Sequence, residues 1–370
     1  MIKDGFKASF VSTCLRRLQL YVAREKIICY YVCNRLHMRG ESMATIRDVA
    51  KKAGVSVATV SRVLNNKGYA HEDTRKLVNE AIKELNYKPN EVARSLYNKK
   101  SRLIGLLLPD IRNPYFPELA RGVEDEMQEQ GLHLIIGNAD EKLEKEIDYI
   151  QTFKQNNVIG IISATNQAET KLYENLSFPV VLLDRTTNSY PSVYADGLDG
   201  GKKAAQEMIR RGSKRIALLK GPIELRTAQD RFKGAVDELC NANVDFQVIT
   251  SSFSFHDAEK MAKTLFEKFP ETDGVIASND LSAAAILHEA LRMGKSIPDD
   301  LQIIGYDDIP LSKLLFPPLS TIRQPAYDMG REAAKLLMKI INKQPLAQKN
   351  IQMPVTFIER QTTRKVEKND

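Results

Sequence analysis

From Thr45 onward, apolar residues recur at helical spacing. Ile46, Val49, Ala50 and Ala53 fall on one face of a helix that Thr45 can cap and Asp48 can close as a capping box. Gly54 supplies the backbone freedom of a tight turn, and Ser56 is a second cap. In the helix that follows, Val60, Val63 and Leu64 face inward while Val57, Ala58, Thr59, Ser61 and Arg62 face out. A third helix, from about Glu72 to Asn86 with His71 as a weak cap, brings Leu77, Val78, Ala81, Ile82 and Leu85 to the same small core. Two short helices around a glycine turn, closed by a third, predict a helix-turn-helix domain. Pro89 then stops that helix, and Asn90 can cap another through about Tyr97 that is too short to be stable unaided.

Beyond Ser101 the pattern changes to short apolar runs alternating with amphipathic helices. The runs are Leu103 to Leu108, Leu132 to Gly137, Ile159 to Ser163 and Val180 to Leu183; a second series has Arg215 to Leu219, Gly274 to Ser278 and Leu301 to Tyr306, with a late helix from Ala326 to Asn342. Such alternation predicts two α/β lobes, each a parallel, doubly wound sheet. Ligands of open α/β sheets sit outside the carboxyl ends of the strands, which for paired lobes means the cleft between them.

Charge sharpens this division of labour. The net charge is +7, but the first hundred residues hold 20 lysines and arginines against 9 acidic residues, and the remainder 34 against 38. A basic amino-terminal part suits a polyanion. Base edges in the major groove are reached from the start of a helix, so the outward Val57, Ala58, Thr59, Ser61 and Arg62 are the candidate base contacts, with Thr45, Ser56 and Asn65 as further candidate DNA contacts beside them. In the segment after Pro89, Arg94 suits a phosphate, and Leu96 suits a wedge driven into a minor-groove base step. With 43% apolar residues and no uninterrupted apolar stretch near the roughly 18 needed to span a bilayer, no membrane segment is expected. Of four cysteines only Cys240 lies in the globular body, which points to a reducing, cytoplasmic compartment and to neither disulfides nor structural zinc. Residues 1–42 fit nothing that follows and lack a tidy export signal, so they are expected to be a non-native or disordered leader.

The strand ends carry a polar and aromatic set. Asn113, Tyr115 and Phe116 follow the first strand, Asp184 and Arg185 the fourth, and Asn279 and Asp307 later ones; Arg231 and Gln324 join them. Carboxylates and guanidinium forks match vicinal hydroxyls, and aromatic faces cover the C–H faces of a sugar ring. Any one of these residues alone is more simply a cap, a surface ion pair or core. An α/β enzyme is the rival reading of the strand-end aspartates, yet no glycine-rich phosphate loop, no Gly-x-Ser-x-Gly elbow and no histidine beside a plausible nucleophile occurs. A periplasmic solute-binding protein would need an export signal and has no use for the amino-terminal helices.

The strings Thr-Ile-Arg-Asp-Val-Ala from Thr45, Thr-Val-Ser-Arg-Val-Leu-Asn from Thr59 and Asn-Glu-Val-Ala-Arg-Ser-Leu from Asn90 resemble the headpiece and hinge of the lactose/galactose-repressor family. Residues 103–363 resemble the periplasmic-binding-protein-like sensor of that family. The closest similarity, carried also by Ile303-Ile-Gly-Tyr-Asp-Asp-Ile-Pro310, is to its regulators of ribose operons in low-GC Gram-positive bacteria. The resemblance implies an α/β protein with a small all-α headpiece at 43–88, a hinge at 89–102, the sensor at 103–363 and a tail. It also implies a homodimer that represses a sugar operon and is released from double-stranded operator DNA by a sugar effector, with no cofactor and no catalysis. Asn90, Ala93, Arg94 and Leu96 would meet the minor groove. Asn113, Tyr115, Phe116, Asp184, Arg185, Arg231, Phe253, Asn279, Asp307 and Gln324 would line a cleft like that of a D-ribose binder. Tyr115 stands where the binding proteins have phenylalanine, which leaves another pentose or a phosphosugar open. The balance of Asp184 and Asp307 against Arg185 and Arg231 favours a neutral sugar.

Overall fold

Thr45 opens the first helix by a reciprocal cap: its hydroxyl oxygen accepts from the Asp48 amide, and the Asp48 carboxylate accepts from the Thr45 amide at 2.8 Å. That helix, α1 (Ile46–Ala53), ends at Gly54 with φ 65°, and α2 (Val57–Asn65) begins where the Thr59 amide donates to Ser56 Oγ at 3.1 Å. The third, α3 (Glu72–Glu84), has no side-chain cap from His71. Val49, Ala50, Ala53, Val60, Val63, Val78 and Ala81 are buried together, with Leu64, Ile82 and Leu85 partly buried against them. Leu77 corrects the expected core. It is 52% exposed, because two short helices cannot cover the full width of the apolar arc on α3. The computed structural model describes residues 44–65, 69–87, 101–165, 171–185, 189–253 and 255–366, and the chain divides into two compact units, Met1–Glu91 and Val92–Asp370.

The second unit is built from two six-stranded sheets. In chain order its elements begin β1 (Leu103–Leu108), α4 (Tyr115–Glu129), β2 (His133–Asn138), α5 (Leu143–Gln155), β3 (Ile161–Ser163), β4 (Val180–Leu183) and β5 (Ser192–Ala195). The series continues with α6 (Gly197–Arg210), β6 (Arg215–Lys220), α7 (Arg226–Asn241), β7 (Asp245–Thr250), α8 (Phe255–Lys268), β8 (Gly274–Ile276) and α9 (Asp280–Arg292). It closes with β9 (Gln302–Asp307), β10 (Ser320–Arg323), α10 (Ala326–Ile341), β11 (Asn350–Met353) and β12 (Thr356–Ile358). One sheet runs β11-β5-β4-β3-β1-β2 and the other β12-β10-β9-β8-β6-β7; every pairing is parallel except that of β10 with β12. The architecture is the doubly wound α/β pair that the alternating pattern implies. β3, β4 and β9 are buried along their whole length, as strands covered by helices on both faces must be.

Each lobe borrows a helix from across the boundary. α6 follows a first-lobe strand but packs on β8, β9, β10 and β12, whereas α10 follows a second-lobe strand and packs on β3, β4 and β5. The chain therefore crosses between lobes three times: after β5, after β10, and between β11 and β12. Asp196 caps α6 at the first crossing, accepting from the Asp199 amide at 3.0 Å. All strand ends that bear the candidate polar residues open toward these crossings.

Candidate functional site

In the amino-terminal unit, the start of α2 presents Val57, 40% exposed, together with exposed Ala58 and Arg62. Thr59 and Ser61 are half-buried, and the hydroxyls of Ser56 and Thr59 lie 2.9 Å apart. A cap that holds Thr59 also holds the first turn that carries the outward residues. Thr45 is exposed and engaged in its capping box. The side chain of Asn65 and the whole segment of Asn90, Ala93, Arg94 and Leu96 lie outside the described residues.

The sensor brings its candidate residues into one buried cluster. Tyr115 starts α4, its amide donating to Asn113 Oδ1 at 3.1 Å, and its hydroxyl donates to Asp184 Oδ1 at 2.8 Å. Asp184 directly follows β4 and takes the left-handed region at φ 68°. Burial pushes the Tyr115 hydroxyl well above its ordinary pKa, and the carboxylates of Asp184 and Asp307 add to the rise. Asp307 belongs to the other lobe, so the two halves of the cluster are within electrostatic reach of each other. Phe116 meets the Tyr115 ring edge-on at 5.3 Å between centroids and lies 5.8 Å from the Arg185 guanidinium. Arg185 in turn donates to Glu141 Oε1 at 2.9 Å.

From the second lobe, Arg231 on α7 donates to the Ser278 carbonyl at 3.3 Å and stands 3.7 Å from Asp307 Oδ1. Its guanidinium lies 3.9 Å from the Tyr306 ring centroid and 5.7 Å from that of Phe253. Burial works against the Arg231 cation, but Tyr306, Asp307 and Asp184 more than offset it and keep the group charged. Burial likewise raises the Asp307 carboxyl well above its usual range, an effect that Arg231 partly opposes. Gln324 Nε2 donates to Asp307 Oδ1 at 2.7 Å. Asn279 caps α9, its Oδ1 accepting from the Ser282 amide at 2.9 Å, while its Nδ2 reaches the Phe253 carbonyl at 3.4 Å.

Tyr306, Glu141, Arg323 and Arg360 escaped sequence reasoning. Tyr306 reads as one more apolar position of a buried strand, and Glu141 sits in a loop where Asp140 and Glu141 both take positive φ, at 48° and 56°. Asp308 is gripped by Arg323 at 2.6 Å and Arg360 at 2.5 Å, which fixes the turn that carries Asp307. The doublet Asp307-Asp308 was the available signal, but the arginines lie far along the chain.

A cavity of about 20 Å³ adjoins Arg231, Phe253, Ser278 and Tyr306. It has room for about one water molecule. Among the described residues no helix is long and apolar enough to cross a membrane, and no cluster of three or more histidine, cysteine or acidic side chains is arranged to hold a metal ion.

Comparison with known proteins agrees with this two-part construction. Residues 45–90 match the model of bacterial regulatory proteins of the lacI family, and residues 205–363 that of a periplasmic binding protein-like domain. The ribose operon repressor of Bacillus subtilis is 66% identical over 324 residues, which cover 87% of this chain and 99% of that protein. A periplasmic binding protein/LacI transcriptional regulator from Alkaliphilus metalliredigens, solved with D-xylulofuranose, is 30% identical with a TM-score of 0.68 over 72% of this chain and 100% of that one. The lac repressor dimer bound to operator shares the fold, with a TM-score of 0.79 and 24% identity over 87% of this chain and 99% of its own. The chain belongs to the lacI family of bacterial regulatory proteins.

Proposed function

We propose that this protein is a cytoplasmic, homodimeric transcriptional repressor of a ribose uptake or catabolism operon, and that D-ribose releases it from its operator. The observation that carries the reading is the 66% identity to the Bacillus subtilis ribose operon repressor along nearly the whole of that protein. The site chemistry supports it. Asp184 and Asp307 accept hydrogen bonds from sugar hydroxyls, Arg185, Arg231, Asn279 and Gln324 donate, and Tyr115, Phe116 and Phe253 flank the ring. Both arginines already face a carboxylate, Glu141 for one and Asp307 for the other, so neither is a free grip for a phosphate. That supports the unphosphorylated sugar. A second pentose is the alternative worth testing, because the relative solved with D-xylulofuranose is 30% identical.

In the headpiece, Val57, Ala58, Thr59, Ser61 and Arg62 enter the major groove, with Ser56, Thr45 and Asn65 beside them; Asn90, Ala93, Arg94 and Leu96 serve the minor groove. Exposed apolar residues support a second copy as partner: Ile136 on edge strand β2, Val248 on edge strand β7, and Leu314 and Phe316 after β9, the last two 80% and 86% exposed. Coupling follows from the packing of the cluster. Tyr115 and Asp184 of one lobe and Arg231 and Asp307 of the other are largely buried within electrostatic reach of each other, so sugar entry shifts the lobes or the lining side chains. Calorimetric titration with D-ribose, ribose 5-phosphate and D-xylulose tests the effector. Strong heat with D-ribose alone is expected; binding of ribose 5-phosphate with D-ribose inert would overturn the choice.

A further inference from the structure

We propose that Tyr306 is a positioning residue for effector recognition: it fixes the plane of the Arg231 guanidinium, and its own place is set by the bare backbone of Gly200 at the first lobe crossing. The proposal rests on Arg231 being a sugar contact. Tyr306 is 2% exposed, and the Arg231 guanidinium lies 3.9 Å from its ring centroid, closer than any other cation to any ring among the described residues. The polar contacts of Arg231 are single and loose, at 3.3 Å to the Ser278 carbonyl and 3.7 Å to Asp307, and the Phe253 ring lies farther off at 5.7 Å. A flexible side chain held only by these would keep several rotamers. The stack removes that freedom before ligand arrives, which is the condition for a forked donor to engage two hydroxyls at once.

The hydroxyl of Tyr306 is buried and makes no hydrogen bond, so polar satisfaction does not explain its presence. Its position does. A Cβ placed on Gly200 would overlap the Tyr306 hydroxyl, and one on Gly201 would overlap the Arg231 carbonyl. Gly200 lies in the first turn of α6, directly after the crossing at Ala195 to Gly197. The α6 backbone thus abuts the hydroxyl end of the ring while the guanidinium covers its face.

The test uses the full-length protein and D-ribose, read by calorimetry, with thermal melting and operator binding without sugar as controls. Tyr306→Leu, which keeps bulk but loses the π face, is expected to weaken D-ribose binding about tenfold or more, whereas Tyr306→Phe stays within about threefold. Gly200→Ala is expected to weaken binding about tenfold by driving the ring into Arg231, and adding Tyr306→Phe, which removes the worst overlap, should recover most of that loss. Loss and recovery of D-ribose binding with melting and sugar-free operator binding unmoved is the readout that a merely structural role would not produce. Equal binding by Tyr306→Leu and the native protein would overturn the proposal, as would a Gly200→Ala defect that Tyr306→Phe leaves untouched. Arg231→Gln separates the two levels. If it binds D-ribose normally, the assignment of Arg231 as a sugar contact is wrong; if it loses binding while the Tyr306 and Gly200 variants do not, only the positioning role is wrong.

Discussion

Replacing Asp307 by Asn probes the charge arrangement of the cleft in a single atom. The amide is isosteric and can still accept from Gln324 Nε2, now 2.7 Å from Asp307 Oδ1, but it removes the anion 3.7 Å from Arg231. Both partners are nearly excluded from water, with side chains 11% and 5% exposed. Breaking a buried ion pair by removing one partner costs about 3–5 kcal/mol, because the other charge stays buried and uncompensated. Here the gap exceeds a direct hydrogen bond and Asp184 remains near Arg231, so a loss of about 2 kcal/mol in sensor stability is expected. Urea unfolding monitored on the sensor gives this number, and calorimetry gives the accompanying loss of D-ribose affinity. Arg231→Met in the same background should restore part of the stability but none of the binding. The reasoning is refuted if Asp307→Asn is as stable as the native protein and binds D-ribose within about threefold, since the pair would then contribute to neither.

The remaining expectations are these. Burial lifts the Asp280 carboxyl to about 6 despite bonds from the Ile309 amide, Ser312 and Thr321. Its folded pKa lies above the unfolded one, so its stabilising contribution is complete below about pH 4 and is lost as the pH rises through about 6. The stability of the native protein relative to Asp280→Asn should therefore rise as the pH falls from 7 to 5, by about 1–2 kcal/mol, and a flat difference would contradict this. Arg360→Ala leaves Asp308 with Arg323 alone and loosens the Asp307 turn; D-ribose affinity should fall about tenfold, with sensor stability lowered by about 2 kcal/mol in urea. Thr45→Ala removes the capping box of α1 and should lower headpiece stability by about 1 kcal/mol, read as an earlier first melting step with the sensor step unmoved.

What could be read from the chain depended on how much of each element is buried. β1 and β4 are continuous apolar runs and β3 and β9 are apolar along most of their length, because helices cover both faces, and such runs stand out. The edge strand β7 reads Asp-Phe-Gln-Val-Ile-Thr with only Phe246 and Ile249 half-buried, and β11 is no more apolar, so neither announces itself. The helix α6 hid behind Gly197, Gly200 and Gly201, which lower helix propensity but let α7 and Tyr306 approach its backbone. The site followed the same logic. Its polar residues at strand ends were visible because charge in an apolar context is conspicuous, whereas Tyr306 looked like core and the grip of Arg323 and Arg360 on Asp308 joins distant segments. Leu77 was misjudged because periodicity gives the width of an apolar arc, not how much of it the neighbours cover.

Repression by this protein turns on linkage between the sugar cleft and DNA. Anisotropy of a fluorescent ribose-operon promoter fragment, titrated with the protein at zero and saturating D-ribose, measures it directly. If the DNA-free form binds sugar more tightly by about 3 kcal/mol, operator affinity should drop on the order of a hundredfold. Unchanged affinity, with calorimetry confirming that the cleft is full, would contradict the claim.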